Sequence, residues 1–176
     1  MNYVDVLALH GSPGSGKTTL ARAIVELLRE FDRANAVIDL DELSLVHPSP
    51  GRSFALDNLR AIWPNYAAIP DLRLVIPTVI ADNDELARLH AAVPGSRFVV
   101  CELTAPEAVL KDRVTAREPN EHWRNRLRTF VDLYHQRSDL ATIRDFQVCT
   151  HDKSINQAAR EVIEKAGWQL QHEALP

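Results

Sequence analysis

The sequence predicts an α/β domain in which helices cover both faces of a parallel sheet, and three observations carry that prediction. An apolar run containing Val4, Val6, Leu7, Ala8 and Leu9 leads directly into a glycine-rich stretch over residues 11–18. Leu20, Ile24, Leu27, Leu28 and Phe31 then fall on one helical face, so the order is strand, loop, helix. Further apolar runs alternate with helical patterns along the rest of the chain, as repeated strand–helix units require. The run Phe98, Val99, Val100, Cys101 and Leu103 is apolar at nearly every position, as expected of a strand covered on both faces.

The 176 residues suit a single domain over 1–176, with 45% hydrophobic and 25% charged residues. A formal net charge of −4 argues against a polyanionic partner such as nucleic acid. No apolar run approaches the length of a membrane span, and residues 2–5 lack the basic start and apolar core of an export signal. The expectation is a cytoplasmic protein without a membrane partner. Cys101 and Cys149 sit in apolar runs without metal-ligand spacing and are expected to be buried free thiols.

The glycine-rich stretch Gly11-Ser12-Pro13-Gly14-Ser15-Gly16-Lys17-Thr18 matches G-x-x-x-x-G-K-[ST], the phosphate-binding (Walker A) pattern, in the strand–loop–helix context that the pattern needs. Glycines allow the backbone to curl so that successive N–H groups face an anion, and the helix that follows adds its partial positive charge. Lys17 would reach the β- and γ-phosphates of a nucleotide and the Thr18 hydroxyl would ligate Mg²⁺, with Thr19 completing the nucleotide-binding set.

After the loop helix, Asn35, Ala36, Val37, Ile38, Asp39, Leu40 and Asp41 predict a short second strand ending in two carboxylates. Strand ends of this polarity face the ligand crevice in a parallel sheet, and a spacing of two puts both side chains on one side of an extended segment. One carboxylate would hold Mg²⁺ or its water and the other would take a proton from a substrate hydroxyl; a helix N-cap is the alternative for Asp41. Residues 47–52 form a turn-rich loop. Leu59, Ile62, Trp63 and Tyr66 follow at helical spacing, with Pro64 expected to break or kink the helix. Residues 47–66 are where an acceptor site is expected, with Arg52 and Arg60 as alternatives between anion contacts and solvated surface.

A third strand is predicted from Leu72 to Ile76 and onward through Val79 and Ile80, and Asp82 after it is either a helix N-cap or a second metal-binding acid. The apolar strand at Phe98 is the fourth; Thr104 and Glu107 then have capping-box spacing for a helix that ends in Arg113 and Arg117, four apart and on one face. From Lys111 to Arg128 basic residues exceed acidic ones by three. That surplus suits a mobile lid, roughly residues 113–128, closing on phosphate. Trp123, Leu127, Phe130, Val131 and Tyr134 form an apolar stripe expected to be core, and Arg137 near its end has no assigned direction. Phe146, Val148 and Cys149 give the fifth strand, and the loop at Thr150–Lys153 should border the nucleobase. Ser154 with Gln157 caps the last helix, which Gly167 ends. With no N-K-x-D sequence to read guanine, adenine is the expected base.

Taken together, the loop at residues 11–18, Asp39 with Asp41, and Arg113 with Arg117 resemble the small P-loop kinase superfamily, nearer the shikimate kinase, gluconate kinase, chloramphenicol phosphotransferase and adenylylsulfate kinase branch than the nucleoside monophosphate kinases. The resemblance implies a P-loop NTPase three-layer fold with a five-stranded parallel sheet of order 2-3-1-4-5 and ATP with Mg²⁺ as donor. By position it implies Lys17, Asp41, Arg113 and Arg117 in catalysis, Asp41 as base, and Thr18 and Asp39 at the metal. The glycine-rich acceptor loop that shikimate kinases carry after the third strand is missing. The expected activity is transfer of the γ-phosphate of ATP to a hydroxyl of a small molecule, by a monomer or homodimer. The alternative is an ATP-binding regulatory module that phosphorylates no small molecule.

Overall fold

Val6, Leu7, Ala8 and Leu9 are completely buried, which places the strand that contains them, β1 (Asp5–Gly11), in the middle of the sheet. The computed structural model describes residues 3–51 and 53–170. Its five strands are all parallel and run in the order β2-β3-β1-β4-β5, with β2 at Asn35–Val37, β3 at Arg73–Pro77, β4 at Arg97–Thr104 and β5 at Phe146–Cys149. Leu7 lies in register with Val75 on one side and Val99 on the other.

The two-residue period of β1 divides the core. Val6 and Ala8 face a cluster with Leu56, Leu59, Trp63, Leu74, Ile76 and Leu89, brought by α2 (Ser53–Ala67) and α3 (Asn83–Ala92). Leu7 and Leu9 face Ile24, Leu28, Leu103, Val162 and Ile163, contributed in part by α1 (Lys17–Glu30) and α7 (Ile155–Lys165). A smaller cluster of Leu110, Val114 and Val131 joins α4 (Glu107–Arg117) to α5 (Glu121–His135). The four-residue α6 (Leu140–Ile143) completes seven α-helices among the described residues. No described helix is long and apolar enough to cross a membrane.

Several local expectations change. β2 stops at Val37, so Asp39 and Asp41 lie beyond the strand, although Ile38 N–H still bonds Val75 O at 3.0 Å. β3 ends at Pro77 rather than running to Ile80, although Thr78 N–H still bonds Leu9 O at 3.0 Å. Pro64 does not break α2, which continues to Ala67, within one turn of the proline. Thr104 does not cap α4; it remains the last residue of β4, and Pro106 holds the cap position without a side-chain bond. Cys101 is buried as expected, and burial pushes its thiol up to about 12, but Cys149 is exposed at the outer strand β5. The capping box of Ser154 and Gln157 is present.

Central burial sets the energetic scale. Leu74→Ala, at a position with no exposure, should lower the unfolding free energy by about 2–5 kcal/mol in urea titration. Leu45→Ala, at a residue 81% exposed, should change it by less than about 0.5 kcal/mol.

Candidate functional site

The chain leaves the sheet at Gly11 and re-enters regular structure at Lys17, and the geometry between is set by close approach. Gly14 has φ +80°, and a Cβ there would stand 2.7 Å from Leu110 O and 3.3 Å from a Val114 methyl, so the loop backbone packs directly on α4. Gly16 caps α1 with φ +92°, without a side-chain cap bond and with no acidic residue in the first turn. The N–H groups and partial positive charge of the helix start therefore stay available to an anion. The buried hydroxyls of Ser12 and Ser15 have no hydrogen-bond partner among the described residues.

Lys17 Nζ donates to Gly11 O at 3.0 Å and Ser12 O at 3.2 Å, arching over the loop. Burial lowers its pKa to about 8; Asp41 opposes that shift, Arg117 adds to it and Asp39 opposes it. Those four charged groups thus share one neighbourhood. Thr18 Oγ1 donates to Asp39 Oδ2 at 3.0 Å, and the Asp41 N–H donates to Asp39 Oδ1 at 3.0 Å. Asp41 starts the 3-10 turn at Glu42–Ser44, but its side chain makes no cap hydrogen bond, so capping does not consume the carboxylate. The loop and chemistry of these donors fit a nucleotide polyphosphate with its divalent cation: Thr18 and Asp39 present adjacent oxygens, and Lys17 presents a cation.

The two arginines of α4 separate. Arg113 donates to Gly14 O (3.3 Å), Thr150 Oγ1 (3.0 Å) and Thr150 O (2.9 Å), tying the loop to the segment after β5. Arg117 lines both a cavity of about 590 Å³ over the loop and a second of about 330 Å³. Thr150, Lys153, Ser154 and Ile155 line the second, which is where the sequence put the nucleobase.

The larger cavity extends from Lys17, Thr18 and Asp41 to a chamber away from the loop, between the turn after β2, the end of β3 and α5. Among the described residues of 47–66, where the acceptor site is expected, only Ala55 and Leu56 line it. Arg60 is on the surface, 3.6 Å from Asp57, and Arg52 lies outside the described residues. Asp82 caps α3, accepting from Glu85 N–H at 2.7 Å. Phe130, expected in the core, is 42% exposed and lines the chamber; Trp123 is 50% exposed.

Beneath this chamber is a buried polar chain that motif reading missed. His10, completely buried, accepts from Ile80 N–H through Nδ1 at 2.9 Å. Burial, with Arg137 and Lys17 nearby, lowers its pKa to about 3 against the opposing charge of Asp139. The ring is therefore neutral with its proton on Nε2, which donates to Tyr134 Oη at 3.0 Å. Tyr134 donates in turn to Glu102 Oε1 at 2.9 Å, and Arg144 pairs with the other oxygen of that carboxylate. Arg137 donates to Asp139 through two nitrogens, at 2.9 and 3.0 Å, and to Ile80 O at 2.7 Å. One sequence signal pointed here: His10 and Glu102 interrupt apolar strands, and a polar side chain in a fully buried strand requires partners.

Two pH responses follow from the depressed groups. Unfolded His10 takes up a proton near its ordinary pKa while folded His10 does not, so stability is full above about pH 6.5 and is lost as pH falls. Urea titrations should show a slope of about 1.4 kcal/mol per pH unit between about pH 6.5 and 5 that His10→Gln lacks. Lys17 carries its charge below about 8 and loses it above, while bound phosphate would restore it. Calorimetry of nucleotide binding in buffers of different ionisation enthalpy should show proton uptake approaching about one at about pH 9, declining toward neutral pH.

The sequence model of the AAA domain matches residues 6–138. No curated protein matches the chain by sequence. Among solved structures, the APS kinase of Mycobacterium tuberculosis, in complex with AMPPNP and APS, superposes with a TM-score of 0.65 at 22% identity, covering 93% of this chain and 98% of that one. A gluconokinase from Sinorhizobium meliloti 1021 gives 0.64 at 17% identity, covering 95% and 94%. The shikimate kinase from Bacteroides thetaiotaomicron gives 0.63 at 16%, covering 93% and 98%. The chain belongs to the AAA domain family, and its three-layer fold is that of the small P-loop kinases.

Proposed function

We propose that this protein transfers the γ-phosphate of ATP, with Mg²⁺, to a hydroxyl group of a small molecule. The observation that carries the reading is the convergence on one cavity of Lys17, Thr18 and the carboxylate of Asp41, with Asp39 hydrogen-bonded to Thr18 beside it. A phosphate grip alone would serve any nucleotide-binding module; a carboxylate not used for capping, facing a separate chamber, suits an acceptor hydroxyl. Likeness in fold to three kinases supports the same reading.

In this mechanism Thr18 and Asp39 hold Mg²⁺, which supplies charge neutralisation on the phosphates. Loop N–H groups and Lys17 orient the donor, and the second cavity beside Thr150 takes the adenine ring. Asp41 accepts the proton of the acceptor hydroxyl as that oxygen bonds the γ-phosphorus and the bond to ADP breaks. Arg117, between the two cavities, meets the charge of the phosphoryl group in transit. Arg113 positions the loop through Gly14 and Thr150. Residues 113–128 act as a lid, anchored on the loop at Arg113 and Val114, that closes on the substrates and excludes water.

A screen of ADP release against hydroxyl-bearing compounds tests the activity. On an acceptor so found, Asp41→Asn should lower kcat by about 10²–10⁴ with little change in nucleotide affinity, and Lys17→Ala should abolish transfer without unfolding the protein. Arg117→Ala should reduce kcat more than ATP affinity. Nucleotide binding without turnover of any acceptor, together with an Asp41→Asn protein indistinguishable from wild type, would sink the kinase reading in favour of a regulatory module.

A further inference from the structure

The chamber beyond Asp41 has a definite charge character. Its walls are mainly apolar: Leu56, Val79, Ile80, Leu127, Phe130 and Leu133 all face it. On α5, Phe130 and Leu133 are 42% and 52% exposed, an apolar surface that substrate of matching character would cover. Apart from Lys17, Asp41 and Arg117 at the phosphate end, the acidic and basic side chains in the lining are Glu85 and Arg137.

Arg137 is already committed. Its guanidinium makes a two-point pair with Asp139 and a third bond to Ile80 O, and it lies 5.5 Å from the centre of the Tyr134 ring. The pairing holds the Asp139 carboxyl below the usual carboxylate range, so both partners are charged and cancel. Glu85 is buried and accepts from Ala81 N–H, so it offers an anion no donor. Arg60, the other described arginine from the expected acceptor segment, is on the surface with Asp57. Among the described residues, the acceptor end therefore offers an anion no uncommitted cation, and an anion there would be desolvated without compensation.

We propose that the acceptor is a non-anionic amphipathic alcohol, a molecule with an apolar body, a reactive hydroxyl directed to Asp41 and no carboxylate, sulfate or phosphate of its own. The inference rests on the phosphotransferase reading above and extends it to the substrate class. The apolar body lies along Phe130 and Leu133, and the hydroxyl stands at the mouth of the chamber nearest Lys17 and Asp41.

Three compounds with one phenylpropyl skeleton and a hydroxyl test it: 3-phenylpropane-1,2-diol, neutral; phenylalaninol, cationic; and 3-phenyllactate, anionic. Each is titrated calorimetrically into the full chain loaded with AMPPNP and Mg²⁺. The diol and phenylalaninol should bind at least about tenfold more tightly than phenyllactate. Asp139→Asn, which leaves the charge of Arg137 unneutralised, should narrow the gap by strengthening phenyllactate binding. Phenyllactate binding to the wild-type protein as tightly as the diol would overturn the proposal even if the variant fails to fold, and so would the failure of all three to bind at millimolar concentration to protein that has bound AMPPNP. Failure of AMPPNP itself to bind would instead overturn the phosphotransferase reading on which the proposal stands.

Discussion

The parallel pairing of β1 with β3 on one side and β4 on the other sets where every residue of the site can lie. Parallel strands bring their C-terminal ends to one edge, so the chain turns leaving β1, β2, β3 and β5 open on the same side of the sheet. The loop at residues 11–18, the carboxylates after β2, the segment at Thr78–Ile80 and Thr150 become neighbours for that reason. The hydrogen bond from Thr18 to Asp39 spans 21 residues of sequence, and Arg113 reaches back to Gly14 across 99. Neither contact has a local origin.

Placing so much polarity at the edge of an apolar sheet has an electrostatic cost, and the molecule meets it in two ways. At the loop, Lys17 is held against two backbone carbonyls and its charge is weakened by burial, leaving a cation whose strongest available partner would be phosphate. Beneath the chamber, His10 remains neutral, while the one buried carboxylate of its hydrogen-bonded chain, Glu102, is matched by Arg144. Every link in that chain is a donor meeting an acceptor, the condition under which buried polar groups rigidify a core instead of weakening it. Because Ile80 contributes its N–H to His10 and its carbonyl to Arg137, the floor of the chamber is fastened to the strand that precedes the phosphate loop.

The chamber itself departs from the sequence expectation in an informative way. Residues 47–66 are the expected acceptor segment because they lie between the second and third strands, yet Leu59 and Trp63 turn into the core. From the apolar stripe of α5 expected in the core, Phe130 instead faces the cavity, beside Leu133. A helical period identifies an apolar face but does not say whether protein or a ligand covers it.

The fold class, the phosphate loop and the placement of Asp39 and Asp41 beside it are legible in the sequence alone. These rest on local rules: glycine where the backbone must curl, two-residue and 3.6-residue hydrophobic periods, and acidic residues just past a strand. The caps at Asp82 and Ser154 were legible for the same reason. Long-range packing is what ends β2 at Val37, ties Arg113 to Gly14 and Thr150 while Arg117 lines both cavities, joins His10, Tyr134, Glu102 and Arg144 in one chain, and sets Asp139 against Arg137. Each of these depends on which distant segment lies opposite a side chain, and one strand or helix carries no record of its opposite until the sheet has brought the two together.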